Sequence, residues 1–213
     1  MENIFDTTIS DLETKKIFVL VPELKPLEHV IENNIGHKKQ DVWMHTKNVF
    51  RALQEALRCD FLNTEKKAVY LKYFSTHIGT TIKAKAMMVA VIFHDIAKSH
   101  TLTQDAVGNT MCPNHEKIGA EMIKQIIKRL GLLKEEQLYI CQLVLHHGTL
   151  HGLLGFPFKE NLSVESLRKE KRTHHDIWSE LVFLCCADIL GADFVRINPD
   201  DANRRIKRLI SWL

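Results

Sequence analysis

The chain has 213 residues, 45% of them apolar and 26% charged, with a formal net charge of +3. These are the proportions of an ordinary soluble globular protein, long enough for one well-buried core, and so mild a charge gives no strong vote for nucleic acid. No apolar run approaches the length needed to cross a bilayer, and Met1 to Lys16 carries acidic residues where a signal peptide has basic and then apolar ones, so a cytoplasmic protein is expected. The cysteines Cys59, Cys112, Cys141, Cys185 and Cys186 are odd in number and lack C-x-x-C spacing, which argues against a disulfide framework and a structural zinc knot.

Helical periodicity dominates and strand alternation is scarce. Residues 1–40 read as an N-terminal helical extension. From Asp41 to Arg58, Val42, Val49, Leu53 and Leu57 line one stripe, with His45 on the same side. Thr64 opens a helix through Val69, Tyr70, Tyr73 and Phe74. Thr80 or Thr81 caps another through Ile82, Ala86, Val89, Ala90 and Phe93 to Lys98, apolar nearly all round and therefore central. The Pro113 helix runs to Leu130 with Ile118, Met122, Ile126 and Ile127 apolar, and Gly131 stops it. Lys134 to His147 follows, using Leu138, Cys141, Val144 and Leu145, and ends at Gly148. Residues 148 to 158 hold three glycines and a proline among apolar side chains, which suits a lid or substrate wall as well as a loop tucked onto the core.

His175 to Phe194 is the next helix, with Leu181, Leu184, Cys185, Asp188 and Ala192 on one side. Residues 196–213 form a basic amphipathic helix, in which Ile206, Leu209, Ile210 and Leu213 face inward and Arg204, Arg205, Lys207 and Arg208 make the wet face. The expected fold is all-α, a single-domain helical bundle with a metal-binding core over residues 41–195.

The core expectation comes from His94-Asp95, which ends the apolar run Met87 to Phe93. A carboxylate beside an imidazole is costly to desolvate unless paired, hydrogen-bonded or bound to a metal. The same dipeptide recurs as His175-Asp176, but it follows the charged stretch Ser166 to Thr173 and reads as a polar helix entrance. One histidine on an apolar face means little. Here five predicted helices each present imidazole or carboxylate, as His45, His94-Asp95, His115, His146-His147 and Asp188. Such a mixed set favours Mn, Fe, Co, Ni or Zn, with Mg less suited. The two oxygens of Asp95 allow it to bridge two ions roughly 3.5 to 4 Å apart, an arrangement that hydrolyses phosphate esters.

This order of residues resembles the HD-domain superfamily of metal-dependent phosphohydrolases, over about residues 20 to 195. The resemblance implies His45, His94, Asp95 and Asp188 as ligands of a first metal, with His115, His146 and His147 in the interval that supplies a second. The segments Pro22 to Leu27, Val42 to Thr46, Phe93 to Lys98 and His115 to Glu121 are similar to the HD domain attached to bacterial tRNA nucleotidyltransferases and poly(A) polymerase-like proteins. The Gly-Ser and paired-Asp nucleotidyltransferase signature is missing, so nucleotide addition is not expected, and Ala97 stands where the family usually has Gly.

The resemblance thus implies a phosphodiesterase or phosphomonoesterase acting on a nucleotide or other small phosphorylated substrate through a metal-activated hydroxide. Asp95, Lys98 and His147 are the candidate catalytic residues, His147 as a second-site ligand or as a general acid. Lys98, three residues beyond Asp95, is placed to reach a phosphate, and His151 is a candidate substrate contact, although a solvent-facing histidine is the simpler reading. One or two divalent transition ions per chain are expected, with no membrane partner. The alternative is a non-catalytic HD-type module that keeps a structural metal and binds a nucleotide, or RNA through its basic helices. His29, His37, His77 and His100 carry no assignment.

Overall fold

The computed structural model describes residues 3–155, 158–159 and 162–213. It is predominantly helical, as the periodicity predicts, and among the described residues the strands are three short antiparallel pairs. After a 3-10 turn at Ile4–Asp6 come α1 (Ile9–Glu13), α2 (Ile17–Leu20) and a 3-10 stretch at Pro22–His29. The chain then forms a hairpin of β1 (Ile31–Asn33) and β2 (Lys38–Asp41), with Ile31 opposite Asp41 and a bulge after Glu32. This hairpin departs from the expected helical extension, and it forms one wall of the site.

Asp41 ends the hairpin and starts α3 (Val42–Ala56), its side chain accepting the Met44 N–H at 2.7 Å. This cap satisfies a free donor of the first turn and fixes the phase that buries Val42, His45, Val49 and Leu53 together. Asn63 caps α4 (Thr64–Phe74) in the same way. The pair β3 (His77–Ile78) and β4 (Thr81–Ile82) leads into α5 (Lys83–Phe93), the central helix, where Ala86, Met87 and Val89 to Phe93 are all buried. Neither threonine caps it. Ile82 occupies the cap position, while Thr80 donates its N–H and hydroxyl to the buried Glu136 carboxylate, each at 2.7 Å.

The apolar helix also stops earlier than predicted. His94 Nδ1 donates to the Val91 carbonyl at 2.7 Å, and a turn over 94–97 separates α5 from α6 (Lys98–Thr101). The imidazole thus occupies a carbonyl that a continuing helix would use. The pair β5 (Thr103–Gln104) and β6 (Thr110–Met111) follows.

Helix α7 (His115–Arg129) begins two residues after Pro113, behind Asn114 in the left-handed region at φ 58°. Its inner face is Gly119, Ala120, Ile123, Ile126 and Ile127, so Ile118 points outward. Helix α8 (Lys134–His146) likewise buries Glu136, Tyr139, Ile140, Leu143 and Val144 rather than Leu138, which is exposed. Where a loop was an open reading, residues Thr149–Leu154 form α9, anchored by buried Leu150 and Leu154. Phe156 and Pro157 of that reading lie outside the described residues.

After α10 (Val164–Thr173), His175 and Asp176 sit in an exposed turn, and α11 starts only at Trp178, running to Gly191. Helix α11 packs along α3 so closely that a Cβ on Gly191 would meet the Val49 backbone nitrogen at 2.7 Å. The chain continues through α12 (Phe194–Ile197) and α13 (Pro199–Ile210). One basic residue of α13 is not on a wet face. Arg205 is fully buried, its Nε donating to Asp201 at 3.0 Å and its guanidinium 5.4 Å from the ring centres of Phe158 and Phe194. Among the described residues, no helix is long and apolar enough to cross a membrane.

Candidate metal centre

The residues singled out in the sequence converge from α3, the turn after α5, the start of α7, the end of α8, α9 and α11. His45, Asp95, Lys98, His115, His147, His151 and Asp188 line a cavity of ≈ 250 Å³ that also receives Glu32, Ile35 and His37 from the β1–β2 hairpin. Two groups of three have ligand atoms mutually close enough for one ion: His45, His94 and Asp188, and Asp95, His115 and His147.

Asp95 stands between them. Its Oδ2 lies 3.2 Å from His94 Nε2 and 3.6 Å from His45 Nε2, while its Oδ1 lies 3.4 Å from His115 Nε2 and 3.7 Å from His147 Nε2. The two oxygens of one carboxylate therefore face two different pairs of imidazoles. His115 and His147 bring their Nε2 atoms within 3.2 Å of each other, and Asp188 Oδ1 lies 2.8 Å from His45 Nε2.

Backbone carbonyls orient three of the rings. His94 Nδ1 lies 2.7 Å from the Val91 oxygen, His115 Nδ1 2.8 Å from the Cys112 oxygen, and His147 Nδ1 2.7 Å from the Val144 oxygen. A carbonyl can only accept, so each Nδ1 carries the proton and each Nε2 presents its lone pair to the cluster when the ring is neutral. The same three-residue spacing from ring to carbonyl recurs in all three. Backbone contacts of this kind fix tautomer and orientation for metal-ligating histidines.

Burial and charge act against each other at these groups. Burial pushes the Asp95 carboxyl up, but the charges of His94 and Lys98 outweigh it and hold the group well below the usual carboxylate range. Burial pushes His94 and His115 down, yet Asp95 beside them raises both above the ordinary imidazole value. His147 goes the other way: burial, then repulsion from His115 and His94, lowers it to about 3. The shift favours the neutral imidazole, whose Nε2 lone pair is the form that a metal ion would take up.

The donor set fits a divalent ion. His94 Nε2 is cut off from solvent and, among the described residues, makes no hydrogen bond of sound geometry, although Asp95 Oδ2, itself beside the Lys98 ammonium at 2.9 Å, faces it at 3.2 Å. Buried polar atoms left in this state are expensive unless something further occupies the space between them.

The remaining candidates divide. Lys98 lines the cavity but is buried, with its ammonium 2.9 Å from Asp95 Oδ2 and 2.8 Å from Glu32 Oε2. Burial opposes its charge, and the carboxylates of Asp95 and Glu32 reverse that and raise its pKa. His151 is not a solvent-facing loop residue: it projects from α9 with Nε2 2.7 Å from Asp188 Oδ2. His146 is not brought to the cluster. It lies on the other side of α8, its ring 4.3 Å from that of His174, and belongs to neither group of three.

Glu32, His37 and Glu116 line the cavity without having been singled out. His37 Nδ1 lies 2.6 Å from Gln40 Oε1, and its ring meets that of His45 edge to face at 4.8 Å. The one sequence signal for this wall was the Asn-Asn-Ile-Gly tetrapeptide at 33–36, a turn composition between short polar runs.

The chain belongs to the HD domain family, whose model matches residues 62–193, more than half of the sequence. That family is generally one of metal-dependent hydrolases. The match takes in every residue of both groups except His45, which α3 delivers from outside it. No curated protein matches the chain significantly.

Proposed function

We propose that the protein is a metal-dependent phosphohydrolase, cleaving a phosphomonoester or phosphodiester of a nucleotide or other small molecule. The observation that carries this reading is the Asp95 carboxylate, with one oxygen toward His45 and His94 and the other toward His115 and His147. His45, His94 and Asp188 would hold one ion and His115 and His147 a second, with Asp95 shared between them. Mn, Fe, Co, Ni and Zn suit this mixture of nitrogen and oxygen better than Mg. When bound, such ions supply Lewis acidity toward a water molecule and a phosphoryl oxygen.

The chain's own residues perform the positioning. Lys98 holds Asp95 as a carboxylate through its charge, donates an N–H to Glu32, and would direct a further N–H to a phosphoryl oxygen. His151 steadies Asp188 from α9 and lines the cavity, so in this reading it positions Asp188 at the edge of the substrate space. Ala97, in place of the usual Gly, is buried without crowding: the Cβ position of Gly119 lies 3.6 Å from its side chain. The similarity of the flanking segments to the HD domain of tRNA nucleotidyltransferases rests on those segments alone and carries no nucleotide-adding activity.

The test is hydrolysis of bis(p-nitrophenyl) phosphate and p-nitrophenyl phosphate with Mn added, alongside metal analysis of protein purified without chelator. The expected result is metal-dependent turnover by the wild type and none by Asp95→Ala. Retained metal with no turnover of any phosphate ester would point instead to a binding or regulatory module.

A further inference from the structure

The charges lining the cavity say what kind of phosphate compound suits it. Glu32, Asp95, Glu116 and Asp188 all line it, and among the described residues the one lysine or arginine there is Lys98. The Lys98 ammonium is already matched by two carboxylates at 2.8 and 2.9 Å. Asp95 and Asp188 belong to the two ligand groups, whereas Glu32 and Glu116 belong to neither.

Glu116 is built into the rim. Gly148 lacks a Cβ, and the Glu116 carboxylate occupies the space that a Cβ there would take. Its Oε2 lies 3.4 Å from His115 Nδ1, whose proton is directed at the Cys112 oxygen, and the side chain is about a third exposed, 32%, where it lines the cavity. Recognition of a di- or triphosphate calls for arginine or lysine at each added phosphoryl group. Here an added group would meet Glu116 instead, Glu32 being buried against Lys98, and like charges brought together are costly.

Ile35, Ile189, Ala192 and Phe194 give the lining an apolar part. Ile35 is at the hairpin tip and is 66% exposed, a position fixed by the Phe194 N–H donating to the Gly36 oxygen at 3.0 Å and the Lys38 N–H donating to Asp193 at 3.1 Å. An apolar side chain held at a cavity mouth gains by covering an apolar group of a ligand.

We infer that the substrate carries a single phosphoryl group joined to an uncharged, partly apolar organic group, and that Glu116 and Ile35 select it against polyphosphates and bare phosphate. This rests on the phosphohydrolase reading above and narrows its substrate. The test is calorimetric titration of the Mn-supplemented protein with phenyl phosphate, inorganic phosphate and tripolyphosphate, holding free Mn constant.

Phenyl phosphate is expected to bind about tenfold more tightly than phosphate, the worth of covering one ring face. Tripolyphosphate is expected to bind no more tightly than phosphate despite its greater charge. Glu116→Gln, which keeps the shape, should raise tripolyphosphate affinity about tenfold relative to phenyl phosphate, and Ile35→Ser should reduce the advantage of phenyl phosphate several-fold. Tripolyphosphate binding more tightly than phenyl phosphate, an unchanged ratio in Glu116→Gln, or no binding of any probe overturns the inference. The expected ranking without turnover of either chromogenic ester would leave the ligand preference standing and remove the phosphohydrolase reading. Turnover with the opposite ranking would remove the inference alone.

Discussion

Glu32 Oε2 lies 2.8 Å from Lys98 Nζ, so a residue of the first hairpin is tied to the lysine that contacts Asp95. Both partners are buried, and the contact spans 66 positions of sequence. Removing one partner of such a pair leaves an uncompensated charge, which is worse than never having had the pair. Glu32→Ala is expected to destabilise the fold by about 3 kcal/mol, and Glu32→Gln, which keeps an acceptor, by about 1 kcal/mol. Urea unfolding would measure both, and a Glu32→Ala midpoint equal to wild type would show that the pair contributes nothing.

Metal binding should strengthen as pH rises. Ligation needs neutral imidazoles, and Asp95 raises His94 and His115 above the ordinary value of 6.5 against the opposing effect of burial. In the metal-free protein these two groups contribute stability that is fully present below pH 6.5 and lost as pH passes their raised folded values. His147 has the opposite sign: its contribution is present above pH 6.5 and is lost as pH falls toward about 3. The added stability on supplying Mn is therefore expected to grow from pH 6 toward pH 8, on the order of the proton competition it relieves. Thermal melting with and without Mn across that range would show it, and an increment independent of pH would rule out displacement of protons from His94 and His115.

Two glycines should respond in opposite directions. Gly191→Ala drives a Cβ into the Val49 backbone, at 2.7 Å from its nitrogen, where α11 and α3 meet. A loss of about 3 kcal/mol or more is expected, since neither helix backbone can move away without disturbing the core. Gly152→Ala in α9 meets nothing within 4 Å and should stabilise by about 0.5 kcal/mol through helix propensity. Denaturant midpoints of the two variants decide the matter.

The neighbours His146 and His147 separate ligand from bystander. His147→Ala is expected to lower metal content and turnover by at least about tenfold, the usual cost of losing a ligand or its orientation. His146→Ala should leave metal content unchanged, because its ring faces His174. Asp176→Ala should be silent as well: its exposed pairing with His175 at 3.1 Å has no contact with the centre. Metal analysis of the purified variants is sufficient, and loss of metal in His146→Ala would require a different placement of that ring.

Much of this arrangement was legible in the sequence because it depends on residue type and order. The stripe of α3 was readable, as were α4, the central apolar helix and the five places that present His or Asp. Phase was harder. Helices α7 and α8 carry apolar residues on more than one face, and the faces that pack were set by partners: Glu136 turns inward to serve Thr80 and the Leu133 N–H. His146 and His147 differ by one helical step, so only the packed phase of α8 could separate them. Glu32, His37 and Glu116 gave no signal, since a polar residue in a short hairpin or first turn looks solvent-exposed until another segment covers it. Arg205 was misread for a related reason: its charge suggests water, but Asp201 and two aromatic rings enclose it.

The 143 positions between His45 and Asp188 also set a schedule for assembly. On a ribosome, α3 emerges early and its histidine must wait while every other contributor is made, for the carboxylate that faces it is translated last. Until α11 has docked along α3, an ion can at most be held by the later group, Asp95, His115 and His147. With the proposed centre, the growing chain would pass through a stage with one half of it formed, the second half closing only when sequence-distant helices meet, the kind of contact that folds slowly.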